Sequence, residues 1–273
     1  MSVPNFIGID LFSGAGGMSE GAASVGVKIK VAVELDKYAA ITYKTNHPYT
    51  EVFNDDIRKF KLGNKVAANK SDVKILFGGP PCQGFSTSNQ KTRNKENEDN
   101  WLFKEYLRIA KEARADWVIV ENVKGIIETE DGYFFDQINK QLHKIGYTTS
   151  SAVLNAADYG VPQIRNRVFI VGSLHGAKYT FPTPTTKKHV TVREAISDLP
   201  FLNNGANLHE LDYRDTIKNY YQKSIRKNSK KSINNLVTRN AKFVLDRYSH
   251  IPQGGNWVDR ELLQLKSLME KNL

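Results

Sequence analysis

Short β-branched apolar runs alternate with helix-length stretches up to residue 171, and this alternation constrains the fold most. Residues 6–11 (Phe-Ile-Gly-Ile-Asp-Leu) form an apolar run that stops at Ser13-Gly14-Ala15-Gly16-Gly17. A helical stretch from Met18 to Val25 follows and closes at Gly26. Ile29–Val33 reads as a strand and Lys37–Asn46 as a helix. Lys74–Phe77 is a strand running into Gly78-Gly79-Pro80-Pro81, where two glycines and two prolines force a loop. Trp101–Arg114 carries Phe103, Tyr106, Leu107 and Ala110 at helical spacing. Trp117–Val120 and Val168–Val171 read as strands, with a helix over Phe134–Ile145 between them. Such alternation predicts an α/β fold with a doubly wound, mostly parallel sheet. The pattern fades after Pro200, so the expected organisation is a domain over 1–200 and a second region over 201–273.

Ligands of such sheets sit at the carboxyl ends of the strands. The informative polar residues fall just there: Ser13–Gly17, Glu34, Asp55-Asp56, Gly79–Cys82 and Glu121-Asn122. Residues 86–100 are polar, lack periodicity and read as a loop.

Composition narrows the function classes. The 273 residues are 40% hydrophobic and 25% charged, ordinary for a globular protein and wrong for a disordered one. No apolar run approaches the ~20 residues that cross a bilayer, and the N-terminus has no signal-peptide pattern. A cytoplasmic protein is expected, in the bacterial cytoplasm or nucleoid. One cysteine excludes an internal disulfide and a multi-cysteine metal site. The scattered histidines offer no pair at helical ligand spacing, so no metal is expected. The net charge of +10 is concentrated: Thr216–Arg247 holds nine Lys/Arg and one acid, Asp246. A basic segment beside a near-neutral remainder suggests a polyanion partner. Lys223, Arg226, Lys227, Lys230 and Lys231 are the candidate phosphate contacts.

Asp10-Leu11-Phe12-Ser13-Gly14-Ala15-Gly16-Gly17 follows the first strand and opens a helix, so the backbone can approach a ligand at a helix N-terminus. Glu34, ending the second strand, suits ribose hydroxyls. Together they argue for a nucleoside cofactor without choosing among NAD, FAD and S-adenosylmethionine. Asp55-Asp56-Ile57 suits an adenine amino group or a turn cap. Cys82 lies in a rigid loop at the ligand edge, where a thiolate is reactive. Glu121, at the end of a strand, is placed to act as an acid. In an extended segment Gln163, Arg165 and Arg167 share one side, which suits anion or carbonyl recognition.

Pro80-Pro81-Cys82-Gln83, Glu121-Asn122-Val123 and Gln163-x-Arg165-x-Arg167 follow the glycine loop, Glu34 and Asp56-Ile57 in the order and spacing of the cytosine-5 DNA methyltransferases. The chain resembles that family over about residues 6–200, and again at Arg247–Trp257, which is similar to the opening of the family's target-recognition region. The resemblance implies a Rossmann-like fold of the S-adenosylmethionine-dependent type and methyl transfer to C5 of a flipped-out cytosine in double-stranded DNA. It implies a covalent nucleophile at Cys82, an acid at Glu121, a supporting Asn122, and Arg165 and Arg167 at the base. Cofactor contacts carry over to Phe12, Gly14, Ala15, Gly17, Glu34, Leu35, Asp56, Ile57, Gly79, Pro81 and Leu102. DNA contacts carry over to Gln83, Ser86, Gly254 and Gly255.

The family's closing Gly-Asn-Ser/Ala-Val-Pro type motif is absent from this sequence. A second polypeptide supplying the remaining motifs is therefore an expected partner, with a truncated chain as the alternative. A role in a restriction–modification system is expected. An RNA (tRNA) methyltransferase and a non-catalytic DNA-binding relative are the competing functions.

Overall fold

The computed structural model describes residues 4–66, 69, 71–81 and 102–256. Two compact units divide the chain between His189 and Val190. The fading of the strand–helix pattern had suggested a boundary after residue 200. The division comes earlier because the helix over Val192–Ile196 packs on the one over Tyr220–Arg226, within the second unit.

The first unit is built on seven strands: β1 (Phe6–Leu11), β2 (Val27–Val33), β3 (Glu51–Phe53), β4 (Val73–Gly78), β5 (Trp117–Val123), β6 (Thr148–Asn155) and β7 (Asn166–Ser173). Their order is β3-β2-β1-β4-β5-β7-β6. The pairs from β3 through β5 are parallel, whereas β7 runs antiparallel to both β5 and β6. Helices α1 (Gly17–Ser24), α2 (Lys37–Asn46), α3 (Phe103–Ala113) and α4 (Tyr133–Lys144) are the α-helices among its described residues. The antiparallel insertion has a local cause. Only a 3-10 turn over Ala156–Tyr159 and the short turn and bend over residues 160–165 separate β6 from β7, and a parallel return needs a longer crossover.

One face of the sheet carries the core. Ile7, Ile9, Leu11, Leu76, Val118, Val120, Val168 and Ile170 pack against Phe103, Tyr106 and Ile109 of α3 and Phe134, Ile138 and Leu142 of α4. The 3.6-residue spacing of those α3 side chains makes this stripe. Burying each stabilises the unit by about 1.5–3 kcal/mol. The Tyr106 hydroxyl lies 3.0 Å from both the Leu76 and Ile119 carbonyl oxygens, which ties α3 to the middle of β4 and β5. Chain order reverses between β1 and β4, and a crevice opens at their carboxyl ends. There the backbones close tightly: a Cβ on Gly78 would sit 2.0 Å from the Leu11 carbonyl oxygen.

The second unit contains α5 (Val192–Ile196), β8 (Asn207–Asp212), α6 (Tyr220–Arg226), β9 (Lys231–Leu236) and α7 (Lys242–Ser249), with β8 and β9 paired antiparallel. A Thr191/Glu194 capping box starts α5. Its interior is polar. Arg226 Nε donates to Asp198 Oδ2 at 2.5 Å, its Nη2 donates to the Asp215 carbonyl, and its guanidinium stacks 3.6 Å from the Tyr213 ring. Buried Gln222 donates to Ser197 Oγ and accepts from the Lys218 amide. A core of this kind leaves no hydrophobic period, which is why the sequence pattern fades here.

Candidate active site

Two cavities meet at the carboxyl ends of β1, β4 and β5. The first, ≈550 Å³, is lined by Phe12, Glu34, Leu35, Asp55, Asp56, Ile57, Gly79, Pro81 and Leu102 among others. The second, ≈610 Å³, is lined by Asp10, Phe12, Ser13, Gly17, Glu121, Tyr159, Arg165, Arg167 and Phe169 among others. They share Phe12 and Gly79.

The glycine loop is held from several sides. The Ser13 amide donates to the Val33 carbonyl at 3.1 Å. Glu34 uses both carboxylate oxygens on the backbone, accepting from the Gly14 and Asp36 amides, each at 2.7 Å. Gly16 has φ 95°, and a Cβ there would meet His47 and Tyr43 within 3 Å, so only glycine fits. Gly17 lines the second cavity; Gly14 and Ala15 line neither.

Asp56 caps a turn, one of the two roles its segment suits, and it also walls the first cavity. Its Oδ1 accepts from the Arg58 amide and caps the 3-10 turn over Ile57–Lys59. The Arg58 side chain grips both oxygens and holds the carboxyl below its usual range, while Lys59 does the same for Asp55. Carboxylate acceptors between apolar walls from Phe12, Leu35, Ile57 and Leu102 fit a nucleoside, whose flat base prefers apolar surface and whose hydroxyls need acceptors.

Glu121 and Asn122 lie inside β5, not after it. The period of two then sends them to opposite faces. Glu121 lines the second cavity, where Arg167 Nε lies 2.8 Å from its Oε1. Asn122, 6% exposed, donates from Nδ2 to the Pro80 carbonyl at 3.0 Å and so fastens the loop that leads to Cys82. Gly79 is confined by the same neighbour: a Cβ there would meet Glu121 Oε2 at 2.9 Å. Arg165 joins Arg167 in the cavity, whereas Gln163 is exposed outside its lining. Cys82, Gln83 and Ser86 lie outside the described residues.

Met18, Leu154, Ala156, Tyr159, Val161 and Phe169 also wall the second cavity, and sequence reasoning missed them. Phe169 had a signal, standing two residues from Arg167 in one strand. The walls from β6 and its following turn had none.

The basic window divides. Lys223, Lys227 and Lys230 are exposed. Lys231 pairs with Glu210 across the β8–β9 ladder at 3.0 Å. Arg226 is not a surface residue: its side chain is 10% exposed and committed to Asp198 and Tyr213, so the expectation of a phosphate contact is corrected for this position. Gly254 and Gly255 form a turn with the Gly255 amide donating to the Pro252 carbonyl.

The family described as C-5 cytosine-specific DNA methylase matches residues 6–262. The chain belongs to this family. The chain is 36% identical over 255 residues to Type II methyltransferase M.DdeI of Desulfomicrobium norvegicum, an alignment covering 90% of the chain and 61% of that relative. It thus spans about three-fifths of that relative's length. It is 36% identical over 219 residues to Type II methyltransferase M.AquIA of a Picosynechococcus species, covering 70% of the chain and 88% of that relative. Among solved structures, a prophage-encoded E. coli protein described as a putative DNA modification methyltransferase superposes with a TM-score of 0.72 at 24% identity, over 90% of this chain and 76% of its own, a likeness of fold. Among the described residues no helix is long and apolar enough to cross a membrane.

Proposed function

We propose that the chain is a DNA cytosine-5 methyltransferase acting with S-adenosylmethionine on a base flipped out of the duplex, as part of a restriction–modification system. One observation carries this reading: the nucleoside-sized cavity and the cavity bearing Glu121, Arg165 and Arg167 meet at Phe12 and Gly79. A methyl donor in one and a base in the other would face each other there.

The chemistry follows from the residues. Cytosine C5 is a weak nucleophile. Addition of the Cys82 thiolate to C6 forms a C–S bond, and a proton from Glu121 to ring N3 takes up the charge, leaving an enamine. Arg167 and Arg165 hold the carbonyl side of the base. To do this Arg167 must exchange Glu121 for the base, so the ion pair marks where the ring enters. When bound, S-adenosylmethionine supplies an electrophilic methyl group to C5. Loss of the C5 proton to a base then expels Cys82 and restores the ring. Phe12, Glu34, Leu35, Asp56, Ile57, Gly79, Pro81 and Leu102 would hold the cofactor, with Gly14, Ala15 and Gly17 supporting it through the loop backbone. Lys223, Lys227 and Lys230, with Gln83, Ser86, Gly254 and Gly255, would meet the DNA. The cell compartment is that of the DNA, the cytoplasm or nucleoid.

The reading includes a second polypeptide. Its support is a ≈530 Å³ apolar groove on the first unit, lined by Ile75, Phe77, Trp117, Ile119, Tyr179 and Phe181 among others, which shares Met18, Leu154 and Phe169 with the catalytic cavity. A chain seated there would also wall the base pocket. Methyl transfer to duplex DNA should therefore be weak for this chain alone and rise when the product of a neighbouring gene is added.

The test is covalent trapping. Duplex DNA with 5-fluorocytosine should form a denaturant-resistant adduct with the complete enzyme, because fluorine does not leave as a cation. Adduct formation by Cys82→Ala would falsify the mechanism. Methylation of tRNA in place of DNA would establish the RNA-directed function, and DNA binding without turnover in the complete enzyme would leave only a binding protein.

A further inference from the structure

The β6–β7 ladder ends at the pair Asn155–Asn166, and the chain leaves it for the loop over residues 156–165. One side-chain atom closes both ends of that loop. Asn155 Oδ1 accepts from the Ala157 amide at 3.2 Å, capping the 3-10 turn over Ala156–Tyr159, and from the Arg165 amide at 3.1 Å. The Arg165 carbonyl in turn accepts from the Ala156 amide at 3.0 Å. Both polar groups of the Arg165 backbone are therefore fixed, its N–H by the Asn155 side chain. The turn is itself braced from its other side. The Tyr159 hydroxyl donates to the Pro182 carbonyl at 2.9 Å, and the Asp158 carbonyl accepts from the Thr185 and Thr186 amides.

The consequence falls in the ≈610 Å³ cavity, which Ala156, Tyr159 and Arg165 line while Asn155 does not. Arg167 is held there by Glu121 and by its own bond to the Asn166 carbonyl. The Arg165 guanidinium has no hydrogen bond or ion pair among the described residues, so its aim is set by the backbone that carries it. Asp158, the carboxylate of the turn, is taken up by His189 at 2.8 Å. The residue type at 155 is informative. Asparagine and aspartate cap a turn about equally well. Aspartate would keep both backbone bonds and strengthen them by its charge, yet it would set a carboxylate beside the backbone of Arg165. A neutral acceptor makes the same bonds and leaves the guanidinium free for a carbonyl oxygen.

We infer that Asn155 is a positioning residue for the base: its neutral amide oxygen locks the Arg165 backbone to the braced turn and so aims the guanidinium into the cavity without competing for its charge. The inference rests on the reading of this cavity as the base pocket. It adds to that reading a residue that lines neither cavity and acts through Arg165.

The test is a double-mutant cycle of Asn155→Asp and Asn155→Ala against Arg165→Ala. Its readouts are the rate at which the complete enzyme traps on duplex DNA with 5-fluorocytosine, at saturating DNA, and the urea midpoint. Arg165→Ala should slow trapping about tenfold or more, the loss of a hydrogen bond from a charged group. Asn155→Asp should slow it about fivefold, as a partly exposed ion pair draws the guanidinium off the base, with the midpoint unchanged or raised. A purely structural asparagine would be replaced by aspartate at full rate. Asn155→Ala loses the acceptor, so trapping and midpoint should both fall; if that variant does not fold, Asn155→Asp decides alone. With Arg165→Ala already present, neither change at 155 should slow trapping further. Full-rate trapping by Asn155→Asp, or equal slowing with and without Arg165, overturns the inference and leaves the base-pocket reading standing. Full-rate trapping by Arg165→Ala overturns both.

Discussion

The two faces of the first unit's sheet share one strand pattern and meet different fates. In β5, Val118 and Val120 are 0% and 2% exposed beneath α3 and α4, while Trp117 and Ile119, alternating with them, stay partly open. In β4, Leu76 is sealed and Ile75 is not. Runs that are apolar at every position belong to sheets covered on both sides. Here α1 and α2 cover part of the second face, leaving the ≈530 Å³ groove edged by Val25, Tyr179 and Phe181. The lesson is functional. The covered face supports the site from below through Asn122, whereas the open face carries Asp10, Glu121 and Arg167 at its carboxyl end. The groove and the ≈610 Å³ cavity share Met18, Leu154 and Phe169, so a partner in the first would also bound the second.

The comparison breaks most easily on the covered face. Phe134→Ala should cost about 3–5 kcal/mol in urea unfolding, the range for a buried aromatic leaving a cavity. A cost near that of an exposed site would mean that α4 does not seal this face. Next comes pH. Where α1 and α2 close the open face they bury Asp10, whose carboxyl is raised from 3.8 to about 7. The folded state therefore holds a proton that the unfolded state has released across that window. This contribution is fully present below about pH 4 and is lost as pH rises through 7, on the order of 4 kcal/mol. Asp10→Asn should flatten the dependence, as read by denaturant midpoints at pH 5 and 8.

The open face should be more forgiving. Ile119→Ala should cost only about 1 kcal/mol in the chain alone, since little of its surface is removed from water. The same change should weaken association with the proposed second polypeptide, measured by sedimentation. If it destabilises the isolated chain as much as Phe134→Ala, the groove is a closed core after all. The smallest effect belongs to the second unit. Lys227→Gln with Lys230→Gln should leave stability within about 0.5 kcal/mol, yet flatten the salt dependence of DNA binding by about 0.9 for each phosphate no longer neutralised. Arg226→Gln should instead unfold the unit, because it strands Asp198.

Much of this was legible in the residues. The strands at Lys74–Phe77 and Val168–Val171 and the helix at Lys37–Asn46 follow from local period and glycine or proline punctuation, which need no partner to be read. The glycine loop, Glu34 and the Arg165/Arg167 spacing also pointed to one edge of the sheet. The short β3 and the polar α6 carried no such period.

What the sequence by itself determined was the alternation of elements, the mostly parallel sheet and the edge where the polar residues gather, because these depend on neighbours within a few positions. Only the tertiary structure decided the antiparallel place of β7, the opposed directions of Glu121 and Asn122, the burial of Arg226 and the uncovered face. Each of these is set by which distant segments come to lie beside a residue, and no local period records that.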